Sequence, residues 1–129
     1  MKIQLSHLAG IVVALPILLI GTGKAVARDY YGAITYSEDS GAHGYSYDYA
    51  TRRAAETRAL SECESNAGTG DCEVLVWFKN GCGALATAPD GAYGSGWAGN
   101  RTGAEDQAIS SCSQYARGCR VKRWVCTTR

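Results

Sequence analysis

A pattern of residues that occurs twice constrains this chain more than anything else in it. Glu56, Ala59, Leu60 and Cys63 return 49 residues later as Glu105, Ala108, Ile109 and Cys112. Cys72 recurs as Cys119, and Val74 and Trp77 return 47 residues later as Val121 and Trp124. Gly32-Ala33-Ile34-Thr35 is matched by Gly83-Ala84-Leu85-Ala86, and the run Tyr45–Tyr49 is matched to Tyr93–Trp97. The drop from 49 to 47 places a two-residue shortening between the helix and the last strand of the second copy. A supersecondary unit that appears twice in a short chain implies two halves related by a pseudo-two-fold axis.

Each unit reads strand–strand–helix–strand. Tyr30–Tyr36 is a predicted strand, 38–44 a polar turn, and Tyr45–Tyr49 alternates tyrosines with polar residues at the two-residue period of a strand. Thr51 is a predicted N-cap for a helix over Arg52–Cys63, whose Ala55, Ala59, Leu60 and Cys63 form one apolar stripe. Asn66–Gly70 is a loop by composition, and Cys72–Phe78 is the third strand. Asn80-Gly81 then carries a hairpin-turn signal, because both residues tolerate positive φ. In the second copy Thr102-Gly103-Ala104-Glu105 reads as a capping box. The expected class is α+β: a mainly antiparallel sheet with two helices packed on it.

The chain has six cysteines, Cys63, Cys72, Cys82, Cys112, Cys119 and Cys126. An even count in a small exported chain reads as a disulfide framework. The repeat reduces the possible pairings. Cys63 and Cys72 hold the places of Cys112 and Cys119, so the economical pairs are Cys63–Cys72 and Cys112–Cys119, each tying a helix end to the next strand. Cys82–Cys126 remains, and the corresponding places in the first copy, Tyr31 and Lys79, lack both cysteines together. Loop-closure arithmetic gives about 2.5–3 kcal/mol for each short bridge and about 4 kcal/mol for the long one. Set against a typical total of about 5–15 kcal/mol, reduction is expected to be severely destabilising.

The first 27 residues are expected to be a signal peptide. Lys2 precedes the apolar run Leu8–Ile20, and Ala25-Val26-Ala27 fits the small-x-small cleavage rule. The apolar run is shorter than a spanning helix needs and is broken at Pro16, so the mature chain is expected to carry no membrane span. One disulfide-stapled domain is then expected over residues 28–129, made of repeats at about 30–79 and 82–127. Without Lys2 and Lys24, eleven basic residues face twelve acidic ones, which argues against a nucleic-acid partner. The tail is nonetheless basic: no acid follows Asp106, whereas Arg117, Arg120, Lys122, Arg123 and Arg129 do.

Together, GAITYSEDSGAHGYSYDYATRRAAETRAL, CEVLVWFKNGCGALA, GAYGSGW and CRVKRWVC resemble the bacterial family catalogued as domain of unknown function 4189. The resemblance covers nearly all of residues 28–129 and implies a small exported protein. It brings no catalytic residues to carry over.

His43, the only histidine beyond the signal segment, lies in a glycine-containing turn without a nucleophile motif. Asp48, Glu56 and Glu105 could pair for glycoside hydrolysis, but Glu105 is explained by the capping box and Glu56 by its place in a first helical turn. No loop has the oxygen spacing of a calcium site, no Cys/His set has zinc spacing, and no phosphate or dinucleotide fingerprint is present, so no metal and no cofactor is expected. Trp77 and Trp124 are read as core, and Tyr45, Tyr47 and Tyr49 as the inner face of a strand. Gly91–Trp97 holds two large rings among glycines, and Tyr93, Ser95 and Trp97 are the candidate contact residues.

The reading that results is a small binding protein, secreted or periplasmic, with a protein or glycan partner. An inhibitor or immunity protein of a wall-degrading enzyme is a special case of it. A small secreted hydrolase acting on glycans and a secreted factor acting on host or competitor cells are the alternatives.

Overall fold

The computed structural model describes residues 28–129; the expected signal segment, residues 1–27, lies outside the described residues. Two copies of one unit follow each other. The first is β1 (Tyr31–Tyr36), β2 (His43–Tyr49), α1 (Arg52–Ala67) and β3 (Glu73–Lys79). The second is β4 (Cys82–Thr87), β5 (Tyr93–Ala98), α2 (Arg101–Ser113) and β6 (Arg120–Cys126). The α+β class, the antiparallel pairing and the three bridges Cys63–Cys72, Cys112–Cys119 and Cys82–Cys126 are all present.

The strands are divided between two three-stranded sheets, ordered β2-β1-β3 and β5-β4-β6. Asn80-Gly81 therefore does not close a hairpin. It carries the chain from one sheet to the other, with Asn80 at φ 48° and its side-chain oxygen accepting from the Tyr30 amide at 2.9 Å.

Alternation along the central strands builds four layers. Ala33 and Thr35 face α1; Thr35 donates its hydroxyl to the Ala59 carbonyl at 2.7 Å. Ile34 and Tyr36 face the other way and share a core with Leu85 and Val125 of the second sheet. The Phe78 ring sits at the middle of this core. A Cβ on Gly32 would lie 2.2 Å from it and one on Gly83 2.6 Å, so both glycines make room for one ring. The sheets thus meet face to face, with β1 across from β4, β3 from β5, and β2 from β6, and each carries its helix on the outer face.

Both helices lie close to their sheets through small residues. Ala55, Ala59 and Cys63 are buried on α1, and their repeat mates Ala104, Ala108 and Cys112 on α2. Gly44 and Gly94 pass beneath the helices; a Cβ there would come within 2.1 Å of the Ala59 carbonyl oxygen and 2.2 Å of the Cys112 nitrogen respectively. Gly94 in particular is set by packing, since Tyr93–Ala98 is a regular strand despite its glycines.

Thr51 caps α1 as expected, accepting from the Ala54 amide at 3.1 Å. The second cap differs from expectation. Asn100, not Thr102, caps α2 by accepting from the Gly103 amide at 2.8 Å, and Glu105 pairs instead with Arg101. Asn100 starts the helix two residues earlier and satisfies one of its free amide donors there. Trp77 and Trp124 are not core: they are 37% and 41% exposed. Each lies on the helix face of an edge strand, beneath the first arginine of its helix. Arg52 stacks 4.3 Å above Trp77 and Arg101 3.9 Å above Trp124, and each arginine also pairs with the glutamate one turn on.

Candidate functional site

The two sheets meet along two lateral seams, and the repeat makes those seams equivalent. β2 lies against β6 on one side, and β5 against β3 on the other. Finding the equivalent residues requires the register. Tyr36 pairs with His43 in the first sheet and Thr87 with Tyr93 in the second. His43–Tyr47 is therefore the counterpart of Tyr93–Trp97, a correction of two positions to the match with Tyr45–Tyr49. The first copy is two residues longer between β1 and α1: its β1–β2 turn holds one more residue, and a bulge adds the other. Asp48 is an extra residue in β2, at φ 61°, where the pairing with β1 shifts register.

The β2/β6 seam is filled. The Arg123 guanidinium lies 4.5 Å from the Tyr45 ring centre and donates to His43 Nε2 at 3.1 Å. Lys122 Nζ donates to the Gly41 carbonyl at 3.0 Å. The carboxylate of the bulged Asp48 accepts from the Thr128 amide at 2.9 Å and from its hydroxyl at 2.6 Å. Burial lowers the His43 pKa below its ordinary 6.5, and the charges of Arg123 and Lys122 lower it further.

The β3/β5 seam is open. The place of Tyr45 is taken by Ser95, and the place of Arg123 by Val76. The only side-chain hydrogen bond either residue makes across this seam is a long one, from the Ser95 hydroxyl to the Leu75 carbonyl oxygen at 3.4 Å. What remains is a groove of about 490 Å³ between Leu75–Lys79 and Trp97. Trp97 stands at its rim, 61% exposed, with its backbone amide held by Gln107 at 3.2 Å.

One end of this groove is acidic. Leu75 also borders a smaller hollow of about 220 Å³ lined by Glu38, Asp39, Asp71 and Glu73 beside Tyr36 and Tyr93. These groups are held in place. Asp71 accepts from the Ser37 hydroxyl at 2.6 Å, from the Thr69 hydroxyl and from the Asp39 amide at 3.0 Å. Those bonds hold its pKa down to about 2. The Tyr93 hydroxyl donates to Glu38, which pushes its pKa up to about 12, and its ring lies 4.9 Å from that of Tyr36.

Among the expected contact residues, the structure brings Trp97 to the groove, Ser95 against the Leu75 carbonyl beside it, and Tyr93 to the acidic hollow. Tyr45 fills the opposite seam, Tyr47 is 46% exposed, and Tyr49 packs beside Ala33 and Ala55. The residues weighed for hydrolysis have four separate partners. Asp48 holds Thr128, Glu56 holds Arg52, Glu105 holds Arg101, and His43 accepts from Arg123. Glu56 and Glu105 lie on helices that cover different sheets. Among the described residues no cluster of three or more His, Cys, Asp or Glu side chains could hold a metal ion. Sequence reasoning missed Leu75, Lys79 and the acids Glu38, Asp39, Asp71 and Glu73. The signal that could have found the groove is the substitution of small for large between the copies, Ser95 for Tyr45, once the bulge is allowed for.

The fold and seams define a disulfide-stapled α+β sandwich of two β-β-α-β halves. The chain belongs to the family described as Domain of unknown function (DUF4189), whose model matches residues 31–126. It is similar to Protein Rv1269c of Mycobacterium tuberculosis and to Protein Mb1300c of Mycobacterium bovis. Each is 40% identical over 102 residues, which is 79% of this chain and 73% of the relative. Among solved structures it is similar to the NMR structure of Rv1813c from Mycobacterium tuberculosis. The TM-score is 0.55 at 33% identity, over 75% of this chain and 74% of that one. Among the described residues no helix is long and apolar enough to cross a membrane.

Proposed function

We propose that this is an exported, non-catalytic binding protein of the cell envelope or extracellular space, and that it engages its partner through the open β3/β5 seam. The observation that carries this reading is the contrast between equivalent places. Where Tyr45 and Arg123 fill one seam from within, Ser95 and Val76 leave the other open beside an exposed Trp97. An apolar groove with a large ring at its rim supports a protein contact, because partly exposed tryptophans dominate many binding surfaces. Export is supported by the signal-like N-terminus and by three bridges in so small a domain. Inhibition of, or immunity to, a wall-degrading enzyme is the special case that size and compartment suit.

The test uses the oxidised chain from Arg28 onward as bait against envelope extract and culture fluid, beside Trp97→Ala and Ser95→Tyr variants. The expected result is a partner retained by the parent protein and lost from both variants. A partner retained equally by all three, or no retained protein or glycan, would overturn the proposal. N-terminal sequencing of the exported product is expected to begin at Arg28.

A further inference from the structure

We propose that the open seam receives an extended, basic segment of a partner protein. An apolar side chain of that segment enters between Leu75–Lys79 and Trp97, and its Lys or Arg side chains meet the carboxylates of Glu38, Asp39 and Glu73. This rests on the reading of the groove as a docking site and specifies what docks there.

Two observations choose the chemistry. The first is charge. The groove is lined mainly by apolar residues, with Lys79 paired to Asp29, and Leu75 also borders a hollow walled by four carboxylates. Asp71 is bonded to Ser37 and Thr69, and Glu38 to the Tyr93 hydroxyl. Asp39 and Glu73 are exposed at the surface. An acidic ligand would be repelled there, and a neutral one would leave the charge unanswered. A basic segment complements it and is steered to it.

The second is the protein's own solution at the equivalent place. Across the β2/β6 seam a half-buried arginine on the edge strand lies over an aromatic ring with its head bonded. The open seam lacks both the ring and the arginine at these places, where Ser95 and Val76 stand, but carries an aromatic platform at its rim, Trp97, at the place of Tyr47. A partner's arginine or lysine, with its apolar stem along the groove, supplies what the chain omits. The repeated bulge in β3 between the partners of Ile34 and Thr35 interrupts the edge strand. Recognition is therefore by side chains in the groove rather than by long strand addition.

The test is selection from a random-peptide display library on the immobilised, oxidised protein. Counter-selection uses Trp97→Ala and a double charge reversal, Asp39→Lys with Glu73→Lys. Non-reducing mass mapping confirms the three bridges in every variant. The expected result is enrichment of peptides with Lys or Arg within a few residues of a large apolar residue. Their affinity falls roughly tenfold or more on either variant and falls with added salt, and selection on the charge-reversed protein turns to acidic peptides. Peptides that need Trp97 but are neutral, and bind the charge-reversed protein equally, would overturn this inference and leave the groove as the docking site. Enriched peptides indifferent to Trp97, or no enrichment, would overturn both.

Discussion

Across the β2/β6 seam, Arg123 covers Tyr45, Lys122 reaches Gly41, and Asp48 holds Thr128. Across the β3/β5 seam, at the places the repeat makes equivalent, a valine faces a serine, and Trp97 stands over the space they leave. Both seams border one core, with Ile34, Phe78, Leu85 and Val125 between the sheets. The difference is therefore local. Duplication supplies two identical frames, and each can use its edge either to close the sandwich or to present a groove. Here one edge closes it and the other is left open, and the acids gather beside the open one.

The strongest way to break this comparison is to give the closed seam the open seam's residues. Tyr45→Ser with Arg123→Val removes a half-buried ring and its stacked guanidinium. The expected cost is about 2–4 kcal/mol, from lost side-chain burial and the cation–π contact. Urea unfolding of the oxidised protein measures it, and a loss below about 1 kcal/mol would mean the seam's contacts are decorative. The reverse exchange is gentler. Ser95→Tyr puts a ring into the groove, which is expected to add about 0.5–1 kcal/mol by filling space. The same substitution should abolish binding of any partner that needs Trp97. Higher stability with binding intact would show that the groove is not the contact site.

The unequal seams explain what could be read in advance and what could not. Cysteine spacing within the repeat leads to all three bridges, because a disulfide needs its two positions adjacent, and a repeated pair is adjacent twice. The two alanine stripes likewise mark the helices' inner faces. The division into two sheets is not legible, because Asn80-Gly81 turns the chain equally well whether or not the flanking strands pair. Trp77 and Trp124 sit in apolar runs that look central, yet an edge strand leaves one face to be covered by a single arginine. The acids of the groove are separated by more than thirty residues between Glu38 and Asp71, and only the fold brings them to one hollow. Most consequential is Asp48. This inserted residue at positive φ, together with a β1–β2 turn one residue longer than its counterpart, shifts the spacing of β2 from the elements on either side and hides the exchange of Tyr45 for Ser95 on which the site depends.

Acid should affect the two seams in different ranges. At the closed seam, the folded His43 pKa is lowered from 6.5. The unfolded chain therefore takes up this proton at higher pH than the folded one. The resulting stability is fully present above pH 6.5 and is lost as pH falls through the lower folded value. His43→Gln should flatten that part of the profile, and an NMR titration showing the ring at or above 6.5 would contradict it. At the open seam, Asp71 is lowered from 3.8 to about 2. By the same sign its contribution is present above 3.8 and fades only toward pH 2. Asp71→Asn should flatten the lower range and leave the His43 range unchanged.

The smallest expected effect on stability is at the residue with the largest expected effect on binding. Trp97 is 61% exposed and projects over a groove that none of the described residues fills. Truncating it removes little that is packed in the free protein, and Trp97→Ala should lie within about 0.5 kcal/mol of the parent in urea unfolding. Its counterpart Tyr47, at 46% exposure, should behave alike in stability but have no effect on binding, because the seam beneath it is occupied. A large loss from Trp97→Ala would recast the tryptophan as a structural cover. Loss of binding from Tyr47→Ala would mean that the two halves still act alike, and the divergence of the seams would no longer locate the site.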